Sequence, residues 1–307
     1  MINEINEIPV QAIDCYHANR DLQLPLQVPY IGMGSSFYAP LCLKYTGKHI
    51  LPEQGSELFY AQDEKRSLCQ EAVLLSQSGK SSETLWCREL VDTYTAITND
   101  PCSDLATHPK AKRVIELHAG VERASATKSF VNTLISLYCG LGFSSEIEEA
   151  IQSVEERMNY FEETGRRVAS SLTQVLEASD HSGLYVIGSG PNYGVALQGA
   201  LILSECIKHT FCGLSMGQYD HGPKETAKGS FVLAIHTKNA ALSRSRQLME
   251  KIYSYGATVQ TIEEFELEDS ISPIATIMAI NFTAYFVAES LGMKATFDVG
   301  EKVTEVE

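Results

Sequence analysis

The sequence predicts an α/β protein built on parallel β-sheets with helices on both faces. Three observations carry that prediction. Short apolar runs of strand length alternate with longer stretches of helical periodicity. Several of the runs stop abruptly at glycines or hydroxyl residues, just before the next helical stretch begins. The order strand, Gly-x-Gly, helix also occurs twice, at residues 30–38 and again at 184–194. Repetition on that scale predicts a duplicated domain rather than a solenoid, whose period would be about 20–50 residues.

The elements follow in order. Residues 28–34 predict a first strand, with a helix beginning near Ser35. Residues 49–52 predict a second strand, 73–75 a third, and 95–99 a fourth that closes in the turn Asn99-Asp100-Pro101. Residues 114–117 predict a fifth. Residues 144–178 are rich in Glu, Gln, Arg and Ser, with apolar positions at Ile147, Ile151, Val154, Met158, Phe161 and Val168. That helical spacing predicts one long connecting helix whose charged residues form a solvated face. Strands at 184–188, 231–235 and 257–259 belong to a second α/β unit. The resulting organisation is a first domain with an N-terminal extension (1–143), a linking helix (144–178), a second domain (179–292) and a C-terminal tail (293–307).

Bulk properties narrow the function. A chain of 307 residues with 44% hydrophobic residues is long enough for two medium domains with substantial cores. The net charge of −15 argues against a nucleic-acid partner, because affinity for a phosphate backbone needs clustered Lys and Arg. It leaves room for a small phosphorylated ligand in a local pocket. The eight cysteines form no C-x-x-C pair, and most lie within apolar runs, where a thiol behaves as a small hydrophobe. A reducing compartment and no structural metal are expected. The histidines show no metal-ligand spacing, and no cofactor is expected. Residues 1–7 are acidic, and no apolar run approaches the ~18 residues of a membrane span, so a cytoplasmic protein without a membrane partner is expected.

Residues 73–84 are the most telling. An apolar run, Val73-Leu74-Leu75, passes directly into Ser76-Gln77-Ser78-Gly79-Lys80-Ser81-Ser82 and then a helix-like stretch. Hydroxyls, loop N–H groups and a helix start together suit a phosphoryl group held by neutral donors. No Gly-x4-Gly frame closes on a Lys-Ser/Thr pair, so this is not the nucleotide P-loop. A nicotinamide dinucleotide is disfavoured too, since neither Gly-x-Gly copy has the third glycine of that fingerprint. Ser35 and Ser36, at the end of the neighbouring strand, join Ser76, Gln77, Ser78 and Ser81 as candidate phosphate ligands.

Further motifs are Ala119-Gly120-Val121-Glu122 with Thr127-Lys128, the run 196–201 (Ala-Leu-Gln-Gly-Ala-Leu) with Glu205, His221-Gly222-Pro223, and Lys302-Val303-Thr304. With these in order, the chain resembles, from about Pro29 to Glu307, the double sugar isomerase (SIS) domain family. That family includes the isomerase half of glucosamine-6-phosphate synthase and stand-alone amino-sugar-phosphate isomerases and deaminases. The sequence shows no glutaminase domain and no Cys after Met1, which points to the stand-alone branch.

The resemblance implies two SIS domains, an aldose–ketose isomerase or deaminase acting on an amino-sugar phosphate, and a homodimer. It implies Glu205 as the base at the sugar carbons. It implies His221 as the ring-opening group, reaching a neighbouring subunit's site, and Lys302, in a tail folded over the site, as a partner of the substrate carbonyl. Two positions depart from the synthase pattern: Ile202 stands where the synthase has a lysine, and Ala126 where it has a serine. A non-catalytic phosphosugar sensor is the alternative, because the same fold also serves as a binding module.

Overall fold

The structure is a computed structural model, and it describes residues 1–62, 67–123, 125–178, 181–294 and 299. The described residues group into two compact units. One holds residues 7–122 and 126–148, and the other holds residues 1–6, 123–125 and 149–294. The membership of Met1–Asn6 and Arg123–Ser125 in the second unit is an interleaving that hydropathy does not reveal.

The first unit contains a five-stranded parallel sheet of β1 (Pro29–Gly32), β2 (Leu51–Gln54), β3 (Cys69–Leu75), β4 (Val91–Thr98) and β5 (Ala111–Glu116), in the order β2-β1-β3-β4-β5. All five predicted strands are present. One face is covered by the short helices after β2, β3 and β4, around a core that includes Ile31, Leu74, Tyr94, Ala96 and Leu105. The helix Lys128–Gly140 is buried along its whole length and packs against the helices Ile8–Asn19 and Ser35–Lys44.

The second unit contains a four-stranded parallel sheet of β6 (Leu184–Gly188), β7 (Cys212–Ser215), β8 (Phe231–Thr237) and β9 (Thr258–Glu264), in the order β7-β6-β8-β9. Strand β8 is buried at every residue, which explains its unbroken apolar run. Strand β7 escapes sequence reading because it is a short edge strand, CGLS, without alternation. The helices Met158–Glu177, Asn192–Ile207 and Pro273–Ser290 pack together in this unit.

Residues 144–178 form two helices, Ser144–Glu156 and Met158–Glu177, rather than one. Arg157 breaks the run at φ −105°, ψ 15°. Its guanidinium donates to Glu264 Oε2 at 2.9 Å and lies 3.3 Å from Glu266 Oε2. Glu264 is buried, so the break brings a cation to a carboxylate that would otherwise be buried unpaired. A charge run that looks solvated thus contains one enclosed ion pair.

The repeated Gly-x-Gly has a local explanation in both units. A Cβ on Gly32 would stand 2.6 Å from the Ser36 carbonyl oxygen, and one on Gly188 would stand 2.2 Å from that of Asn192. Each first glycine lets the strand end run against the start of the following helix. Each second glycine takes a positive φ, 50° at Gly34 and 57° at Gly190, which suits a residue without Cβ.

Candidate functional site

In an open parallel sheet, ligands gather outside the carboxyl ends of the strands, at the point where the strand order reverses. For the order β2-β1-β3-β4-β5 that point lies between β1 and β3. Their register, Tyr30 opposite Val73 and Ile31 opposite Leu74, sets the two following loops side by side. Ser35 and Ser36 open the helix after β1, and Ser76 to Ser81 form the loop after β3. All six sequence-predicted phosphate ligands therefore share one sheet edge.

The loop after β3 is held tightly from below. Ser76 N–H continues the ladder to the Ile97 carbonyl at 3.1 Å, and Gly79 N–H closes a turn onto the Ser76 carbonyl at 3.1 Å. Ser76 Oγ donates to Ser81 Oγ at 3.1 Å, and Lys80 N–H donates to Ser78 Oγ at 3.2 Å. Gly79 has φ 65°, and a Cβ there would fall 1.9 Å from Ser103 Oγ, so the position admits only glycine. Among the described residues, none accepts a hydrogen bond from the N–H of Gln77, Ser78 or Ser81. Those donors, together with the exposed Ser78 hydroxyl, are left to serve a small anion. The helix after the loop, Ser82–Trp86, is only five residues long, so the loop's own N–H groups and hydroxyls supply most of the attraction.

Three residues at this edge were not singled out from sequence. Lys80 is exposed and makes no ion pair with a described residue, so it adds a positive charge to a loop otherwise made of neutral donors. Thr98 Oγ1 and Asn99 N–H both donate to the Gln77 carbonyl, at 3.2 and 3.0 Å. The Asn99 side chain also reaches the loop after β5: its Nδ2 donates to the Gly120 carbonyl, and its Oδ1 accepts from Ala119 N–H, both at 2.8 Å. Such ties between loops depend on strand order, which sequence spacing does not give.

Glu122 and Lys128 belong to the same unit. The Glu122 carboxylate accepts from Thr127 N–H at 2.8 Å and Thr127 Oγ1 at 3.0 Å, and also from the Ser129 hydroxyl. It caps the helix Lys128–Gly140, whose first N–H groups would otherwise lack partners. Burial nevertheless pushes its carboxyl pKa up, outweighing the hydrogen bonds from Ser129 and Thr127. Lys128 is buried at a helix N-terminus, a poor place for a cation. It is compensated by Glu7 Oε2 at 2.6 Å and the Val121 carbonyl at 3.0 Å.

Two of the residues expected to do the chemistry belong to the other unit. Glu205 is half-buried near the end of the helix Asn192–Ile207, about 20 Å along that helix from the carboxyl end of β6. His221 is exposed and ends the short helix Met216–Asp220, in the crossover between β7 and β8. Its turn is braced by Asp220, whose carboxyl is drawn down to about 2 by Lys224 and Arg244. Lys302 lies outside the described residues.

The four-stranded sheet reverses its strand order between β6 and β8, where a matching crevice would open. That place is filled from within. Asp269 Oδ1 accepts from Asn239 Nδ2 at 2.9 Å and from the Thr237 hydroxyl. The buried Asn192 donates to Ser272 Oγ at 2.7 Å and accepts from Thr276 Oγ1 at 2.6 Å.

No family model matches the chain. In sequence it is 25% identical, over an alignment 336 positions long, to the isomerizing glutamine–fructose-6-phosphate aminotransferase of Thermococcus kodakarensis, across 94% of this chain and 54% of that protein. The chain spans about half the length of the curated relatives it matches. In structure it superposes on the C-terminal domain of glucosamine-fructose-6-phosphate aminotransferase from Francisella tularensis with a TM-score of 0.83 at 18% identity, covering 96% of this chain and 97% of that one. On glucosamine-6-phosphate deaminase from Thermotoga maritima the TM-score is 0.73 at 20% identity, covering 95% and 96%.

The fold is that of the SIS phosphosugar isomerases. The expectation of parallel sheets flanked by helices holds across nearly the whole chain. Among the described residues of this SIS fold, no cluster of His, Cys, Asp or Glu is arranged to hold a metal ion, and no helix is long and apolar enough to cross a membrane. None of the eight cysteines forms a disulfide, and burial pushes the thiols of Cys15, Cys87 and Cys139 up to about 11, 12 and 12, which leaves those three packed rather than reactive.

Proposed function

We propose that this protein is a phosphosugar isomerase/deaminase acting on an amino-sugar phosphate of the glucosamine-6-phosphate type. The observation that supports it most is the free N–H groups and hydroxyls of the Ser76–Ser81 loop, at the reversal point of the five-stranded sheet beside Ser35 and Ser36. In this proposal Ser35, Ser36, Ser76, Gln77, Ser78 and Ser81 hold the phosphoryl group. His221 exchanges a proton with the ring oxygen as the sugar opens, a task suited to imidazole near neutral pH. Glu205 takes the proton from C2 of the open-chain amino sugar and returns it to C1 through an enolamine, giving the C2 imine of the ketose, which one water hydrolyses to ketose phosphate and ammonia. Lys302 polarises the open-chain carbonyl. Such a division uses the distant phosphoryl grip to position the carbons that react.

The test is incubation with glucosamine 6-phosphate, fructose 6-phosphate and related hexose 6-phosphates, following ketose, aldose and ammonia. Turnover is expected, and Glu205→Gln should lower kcat by about 100-fold or more, as removal of a positioned general base does. A panel that gives no turnover, while a hexose 6-phosphate at 100 times its Kd still adds about 2.7 kcal/mol of stability, would replace the enzyme with a phosphosugar sensor. Turnover unchanged by Glu205→Gln would remove that residue from the mechanism.

A further inference from the structure

The peptide between Gln77 and Ser78 has its carbonyl fixed twice, by Thr98 Oγ1 and by Asn99 N–H. In a trans peptide the C=O and N–H point in opposite directions. The Ser78 N–H is therefore turned away from β4, and its aim is set by residues 98 and 99. The Asn99 side chain then spends both ends of its amide on the peptides of Ala119 and Gly120.

That second segment is conformationally costly. His118 has φ 51° and Gly120 has φ 65°, and a non-glycine residue in this region persists only where its surroundings over-determine it. The two bonds from Asn99 fall on the two residues immediately after His118. One residue further, the Val121 carbonyl is taken by the buried Lys128, and Glu122 is taken by Thr127 and Ser129. The path Gln77, Asn99, Ala119–Gly120 thus runs unbroken within the five-stranded unit, from a loop with free donors to a segment held in an uncommon shape.

We propose that Asn99 is a positioning residue that couples occupation of the Ser76–Ser81 loop by a phosphoryl group to the geometry of the 119–122 segment. The proposal rests on the phosphoryl-binding role of that loop. An anion drawn to the N–H groups of Gln77 and Ser78 stiffens the Gln77 peptide. The stiffening passes through the Asn99 backbone to its side chain, and from there to the Ala119 and Gly120 peptides. Free phosphate, which carries no sugar carbons, is enough to produce the effect.

Amide hydrogen exchange with and without inorganic phosphate tests the coupling on the whole chain, with no need for turnover. In the wild type, phosphate should slow exchange at residues 77–81 and, by about fivefold or more, at residues 119–122. Asn99→Ala should keep the first effect and lose the second. Asn99→Asp keeps the acceptor for Ala119 N–H and loses the donor to Gly120, so it should give an intermediate result, and it serves in place of Asn99→Ala should that variant fail to fold. Slowing at 77–81 alone in the wild type would overturn the coupling and leave the proposed function standing. Slowing at both segments in every Asn99 variant would also overturn it. Absence of slowing at 77–81 would end both proposals together.

Discussion

At the scale of single residues, Glu122 shows how burial and hydrogen bonding compete. Its carboxylate accepts from four groups and caps a helix, all of which favours the charged form, yet enclosure raises its pKa on balance. The consequence for stability has a definite sign. An acid whose pKa is higher in the folded state binds its proton more tightly there, so its ionisation weakens the fold as pH rises. Below its ordinary value of 4.5, Glu122 is protonated in both states and contributes nothing of this kind. Glu122→Gln keeps the shape and cannot ionise. The urea midpoint of the wild type should therefore fall relative to Glu122→Gln as pH rises from 4.5 through the raised folded value. A wild type that gains on the variant over that range would show that capping, not desolvation, dominates. The candidate phosphate ligands were legible in the sequence because hydroxyls, a glycine and a strand end stand together in one stretch. Asn99 and Lys128 were not legible as part of a network, because their partners Ala119 and Glu7 lie far off in sequence.

At the scale of elements, close packing decides where the helices lie. The helices Met158–Glu177 and Pro273–Ser290 meet at Gly165, where a Cβ would stand 2.4 Å from Phe282 Cβ and 3.0 Å from the Phe282 backbone carbon. Alanine would gain about 1 kcal/mol over glycine in helix propensity. Overpacking against a rigid neighbour costs about 1–3 kcal/mol, and here that neighbour includes main chain. Gly165→Ala should lower the unfolding free energy on balance, measured by urea denaturation, and a gain in stability would mean that the helices separate easily. Eight of the nine strands among the described residues could be anticipated, because buried parallel strands read as compact apolar runs. The ninth, β7, lies at an edge and has no such run. The break at Arg157 was hidden for another reason: helical periodicity continues through it, and the carboxylate that stabilises it comes from the region of β9.

At the scale of the whole molecule, the two sheets share one winding rule and differ in what occupies its reversal point. The paired Gly-x-Gly marked two strand-to-helix junctions in the sequence, but the strand orders that locate the two reversal points emerged only in three dimensions. In the five-stranded sheet the crevice offers unspent N–H groups and a nearby lysine. In the four-stranded sheet Asp269, held by Thr237 and Asn239, already supplies the negative group that such a crevice attracts. A phosphate arriving there would meet like charge and donors already engaged. The two sheets are therefore stoichiometrically lopsided: calorimetric titration with inorganic phosphate should saturate at a single equivalent per polypeptide, and a second equivalent of similar affinity would mean that the resident carboxylate yields its seat.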